Sequence, residues 1–127
     1  MRFAKIVFLV AGVYGLLVLV PQFFLEAKAG RDFPPPVNHP EYYYGFLGVA
    51  AAWQVLFLIL SRDPARYRAM MIPSIIEKVS FAAAAAVLFV QGRVAAALLP
   101  FAAIDLALGA LFVMAYVKTQ PRAESGA

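Results

Sequence analysis

Four apolar stretches, each about as long as a membrane is thick, set the terms on which this chain can fold. They run from Phe3 to Leu25, Tyr42 to Leu60, Met70 to Val90 and Val94 to Val117. About 20 residues rising 1.5 Å each cross a hydrocarbon core of ~30 Å. The stretches show no period-2 alternation, and inside lipid a helix satisfies its backbone amides within its own segment. The expectation is an all-α fold, an integral membrane four-helix bundle. It forms a single domain over residues 1–120, followed by a flexible cytoplasmic tail over 121–127. Of the 127 residues, 64% are hydrophobic and only 14% charged, more apolar surface than a soluble domain of this size can hide.

The punctuation between the stretches supports helices. Asn38 offers a cap ahead of Pro40 and Glu41. Asp63 and Pro64, in "SRDPARYR", start a short interfacial helix before Pro73. "QGR" (Gln91 to Arg93) is so short that the third and fourth helices must form an antiparallel hairpin, with Gly92 as a helix stop. "MRFAK", the apolar run and "AKA" (Ala27 to Ala29) together resemble a cleavable secretory signal. The length of the run and the bulky "PQFFLE" point instead to a retained first helix.

Basic residues orient the bundle. Arg2, Lys5, Arg62, Arg66, Arg68, Lys118 and Arg122 fall at one side, and Lys28, Arg31 and Arg93 at the other. The positive-inside rule then puts both termini in the cytoplasm, N-in/C-in. The same distribution argues against nucleic acid as a partner, although the formal charge is +4. The "FPPPVNHP" loop is expected to be stiff and outward-facing, with Tyr42 to Tyr44 in the aromatic interfacial belt. With no cysteine and one histidine, thiol chemistry, disulfides and histidine-rich metal sites are excluded. No cofactor and no metal are expected.

Charges within the apolar stretches are the functional candidates. Glu77, Lys78 and Asp105 are the three, and ionisable groups at mid-bilayer cost about 2.5–3.5 kcal/mol each on insertion scales. Counted from Gly92, Asp105 lies only ~3–5 Å along the axis from the level of Glu77 and Lys78, a gap a lysine stem spans. A Lys78–Asp105 pair, or a triad with Glu77, is expected. Tyr14 and Gln54 arrive at similar depth, so one buried polar cluster is expected from Tyr14, Gln54, Glu77, Lys78 and Asp105. The plain reading makes these residues interhelical ties, or sends Lys78 snorkelling to the interface. The functional reading counts charge. Two carboxyls and one ammonium leave one group, preferably Glu77, able to bind a cation, accept a proton or hold a polar ligand head.

Small residues set the packing. Gly12, Gly15, Gly48, Ala52, Ala82 to Ala86, Ala102, Ala103 and Gly109 allow close helix approach, with Gly48 and Ala52 as a small-xxx-small pair. Pro21, next to Gln22, and Pro100 are expected to free backbone carbonyls near the outer helix ends. Trp53, the sole tryptophan, is expected to be a packing aromatic, with the wall of an apolar ligand pocket as its functional alternative.

Size, helix count, an acid in the third helix and the blocks "PEYYYGFLGVAAAWQ" and "RYRAMMIPSIIEK" resemble the small DoxX-like membrane proteins of bacteria. The resemblance implies a multi-pass protein of the bacterial inner membrane, in a group sometimes associated with quinone-linked redox complexes. The expectation is an accessory or ligand-binding membrane protein rather than an enzyme on its own. Its partners would be the lipid bilayer, a membrane protein or second copy, and an apolar small molecule. Two alternatives stand beside it. One is a proton-coupled small-molecule transporter; the other is a lipid-, sterol- or quinone-pocket protein with lipid-modifying activity.

Overall fold

The computed structural model describes residues 2–119, and the expected tail over 121–127, with Arg122, lies outside them. Five α-helices follow one another: α1 Arg2–Leu19, α2 Glu26–Asp32, α3 Pro40–Arg62, α4 Met71–Val90 and α5 Leu99–Lys118. Short 3₁₀ turns extend α1 to Phe24 and precede α4 and α5. With these turns, four continuous spans are long and apolar enough to cross a membrane, Arg2–Phe24, Pro40–Arg62, Arg68–Val90 and Ala96–Lys118.

The long helices alternate in direction. One end of the bundle gathers Phe3 beneath Lys118, 4.5 Å from ring centroid to Nζ, and Arg68, whose Cζ lies 3.7 Å from the Tyr116 ring centroid. Arg68 Nε also donates to the Tyr116 carbonyl at 3.2 Å, tying the loop before α4 to the last turn of α5. The opposite end carries α2 and the proline segment, and Phe33 meets Phe101 there edge-on at 6.3 Å.

Two helix pairs make the bundle. α1 packs along α3 and α4 along α5, while α1 and α5 form the seam between the pairs. The fourth side, between α3 and α4, is not closely packed. Lipid tails are as apolar as leucine, so close fit rather than hydrophobic expulsion must hold such helices together. Gly12 and Gly15 on α1 let α3 approach until an added Cβ at either would lie under 3 Å from α3 atoms. Gly109 on α5 is the matching gap for α4, with Lys78 Cβ and Val79 each 3.4 Å from where its own Cβ would be. Phe8, Phe57 and Phe112, all fully buried, fill the seam. Phe8 stacks on Phe112 at 4.3 Å, and Phe57 meets Phe112 edge-on at 5.1 Å.

The hairpin stop forms as its sequence predicts. Gly92 adopts φ 73°. Its amide donates to Phe89 O and that of Arg93 to Leu88 O, which closes α4 with a Schellman motif.

Several local expectations need correction. Glu26–Asp32, which lies outside the four expected helices, forms a short helix of its own, with Glu26 in its first turn, Arg31 in its last, and a Lys28–Asp32 ion pair along one face. Asp63 and Pro64 open a series of turns and no interfacial helix. Asn38 does not cap α3; the cap position is His39, with no side-chain cap bond, and Pro40 fills the first turn. Because α5 begins five residues later than expected, Pro100 sits in its first turn, where no amide is needed and no carbonyl is freed. Pro21 does interrupt α1, and the Gln22 amide donates to the Val18 carbonyl at 2.9 Å. Gly48 faces open space, so the Gly48–Ala52 pair is not at a helix contact within this chain.

Candidate functional site

Lys78 is only 3% exposed, so it does not snorkel. Its Nζ lies 3.5 Å from Glu77 Oε2 and 3.6 Å from Asp105 Oδ1, near-equal separations that make a triad rather than a single pair. The Phe57 ring stands 5.2 Å below the ammonium and closes its remaining side. The sequence brings this about by register. Gly109 lies one turn beyond Asp105 on α5, and the room it leaves admits the Lys78 stem between the two helices.

Gln54 approaches from α3 and is 1% exposed. Its Nε2 donates to the Ala50 carbonyl at 2.9 Å, while Oε1 rests against Gly15 without a hydrogen-bond partner. Glu77 Oε2 likewise is buried without a hydrogen bond, held only by the ion pair. A buried acceptor left unpaired costs about 1–3 kcal/mol; Gln54 Oε1 bears that cost, while Glu77 Oε2 is compensated by the Lys78 ammonium.

These groups share a cavity of about 530 Å³. Tyr14, Gln54, Glu77, Lys78 and Asp105 all line it, so the five residues picked out by depth meet around one space. Its other walls are largely apolar and aromatic, with Phe46 and Tyr43 from α3, Phe81 from α4 and Phe101 from α5. Ser74 and Ser80 do not join; their hydroxyls donate to the carbonyls of Met70, just before α4, and of Glu77 within it. Trp53 lies outside the cavity as well. It points to the packed core beside Phe57, at a ring separation of 6.5 Å, because on α3 it is one residue out of phase with Gln54.

The other end of the cavity is formed by α2, a contribution the sequence reading missed. Lys28, Ala29 and Asp32 line it, followed by Phe33 and Val37. Gly30 lets the chain double back here, since a Cβ would fall 3.0 Å from Pro36 Cα. Tyr43 and Tyr44 fasten this cover. Tyr43 donates to the Gln22 carbonyl at 2.7 Å and Tyr44 to Glu26 Oε1 at 3.0 Å. The signal for α2 was present in "EAKAGRD", with an acid first, a base in the last turn and an oppositely charged pair four apart.

Among the described residues, no group of three or more His, Cys, Asp or Glu side chains is arranged to hold a metal. No family model matches the chain, and neither a curated protein nor a solved structure matches it.

Proposed function

We propose that this chain is a small ligand-binding or accessory protein of the bacterial inner membrane, with both termini cytoplasmic, whose cavity takes up an amphipathic small molecule. The observation that carries this reading is the cavity itself. Its volume lies within the range of about 300–1,000 Å³ usual for small-molecule sites. It also has the usual lining, apolar walls with a few polar groups, Lys28 and Asp32 on α2 and Gln54, Glu77, Lys78 and Asp105 at the other end. The apolar body would lie among Phe46, Phe81 and Phe101, and the polar head would meet Gln54, Glu77 and Asp105. The DoxX-like resemblance belongs to the same reading, as does the cytoplasmic placing of the ends rich in arginine and lysine.

The test is native mass spectrometry of the protein extracted in mild detergent. A retained apolar molecule is expected, and Val18→Trp, which fills the cavity from α1, would lose it. Wild-type and filled protein that are equally empty, in membranes as in detergent, would end this reading.

A second reading, proton-coupled transport, draws on the Glu77 carboxylate, which reaches the cavity and has an oxygen without a hydrogen bond. It requires pH-dependent flux in proteoliposomes that Glu77→Gln abolishes while the fold stays intact.

A further inference from the structure

Five ionisable side chains other than tyrosine line the cavity: Lys28, Asp32, Glu77, Lys78 and Asp105. Lys28 and Asp32 pair with each other near α2. At the opposite end, two carboxylates face one ammonium. With all three ionised, the walls hold one negative charge that no side chain of the cavity offsets. In a low-dielectric site an uncompensated charge is costly and is relieved by uptake of a proton or by a bound cation; among ligand heads, one that is cationic and also donates hydrogen bonds relieves it best.

The second observation is one of exposure. The Glu77 and Asp105 side chains keep 21% and 17% of their surface exposed and Lys78 only 4%, so carboxylate rather than ammonium is what the cavity wall presents. A carboxylate head on a ligand would add acceptors where acceptors are already in excess. A hydroxyl would supply one donor and leave the charge. A primary ammonium supplies three donors and one positive charge.

We propose that the cavity selects amphiphiles with a protonated amine head, the ammonium lying beside Glu77 and Asp105 and the apolar body extending toward α2. This rests on the reading of the cavity as a ligand site and names the chemical class of its occupant. Lys78 serves here as the fixed counter-charge that keeps two carboxylates together, so that one ammonium, and not two, completes the site.

The test uses the full chain in phosphatidylcholine nanodiscs and three probes of equal chain length: dodecylamine, dodecanol and dodecanoate. Occupancy is read by native mass spectrometry. The difference between wild type and Val18→Trp, with Ala50→Phe as a second filler, cancels partition into the surrounding lipid. Dodecylamine is expected to bind with an apparent Kd at least about tenfold below that of dodecanol. Dodecanoate is expected to show no cavity-dependent binding. Glu77→Gln and, separately, Asp105→Asn are expected to erase the preference for the amine; a far-UV circular dichroism melt shows which variants are folded.

Dodecanol or dodecanoate binding as tightly as the amine would overturn the proposal while leaving a ligand cavity. If no probe gave filler-sensitive occupancy, the ligand-site reading would fall with it. Competition from phosphatidylethanolamine added to the discs would assign the natural amine to lipid. Without competition the amine is a free one, and either result keeps the ammonium.

Discussion

Lys78 Nζ and Asp105 Oδ1 lie 3.6 Å apart across the α4–α5 interface, although the two residues sit on opposite arms of the terminal hairpin. Both side chains are largely withdrawn from solvent, at 4% and 17% exposure. Breaking a buried ion pair from one side costs more than the pair contributes, because the surviving charge stays behind.

Lys78→Met would therefore leave two facing carboxylates and destabilise the bundle by about 3–5 kcal/mol. Adding Asp105→Asn and Glu77→Gln is expected to restore most of that loss. Unfolding in mixed micelles, followed by Trp53 fluorescence, measures each step. A Lys78→Met protein as stable as wild type would show that the ammonium is not held between its carboxylates.

Gly15→Ala tests the contact between α1 and α3. Its new Cβ would fall 1.9 Å from Gln54 Oε1 and 2.7 Å from Gln54 Cγ, so the buried glutamine must shift. A loss of about 1–3 kcal/mol is expected from overpacking. Gln54→Ala in the same chain removes the obstruction, so the double variant would be more stable than Gly15→Ala alone. Additive losses in the double variant would contradict this geometry.

The absence of cysteine makes orientation directly measurable. Asn38→Cys sits in the exposed segment after α2, and Ala69→Cys in the exposed turn before α4. With both termini cytoplasmic, a membrane-impermeant maleimide labels Asn38→Cys on intact spheroplasts and Ala69→Cys only after lysis. The reverse pattern would invert the topology.

The spans were legible because their length and apolarity answer to one physical constraint, the thickness of a bilayer. Register in the last hairpin was legible too. Gly92 fixes the turn, and helix rise then brings Lys78 and Asp105 near the same level. Depth alone also gathered Tyr14 and Gln54 with them. Depth does not reveal which helices are neighbours. That α3 stays against α1, with its side toward α4 loosely packed, follows from contacts such as Gly15 against Gln54, and such contacts are invisible in a hydropathy profile. The cavity depends on that arrangement, and so does the placing of Trp53 against the packed core rather than in the cavity wall. Pro100 was misjudged because the start of α5 was set by where apolarity began rather than by where the backbone turned.

That α5 packs on both α1 and α4 has a consequence for how the protein is made. Translation runs from the N-terminus, so Phe8 and Lys78 enter the membrane before their partners Phe112 and Asp105 exist. At about 5–20 residues per second that interval lasts on the order of seconds. Throughout it, Lys78 has the neighbouring Glu77 as its carboxylate and no α5 beside it. A nascent chain stalled before Leu99 would hold Lys78 against Glu77 alone, one carboxylate short of the triad that the last helix completes.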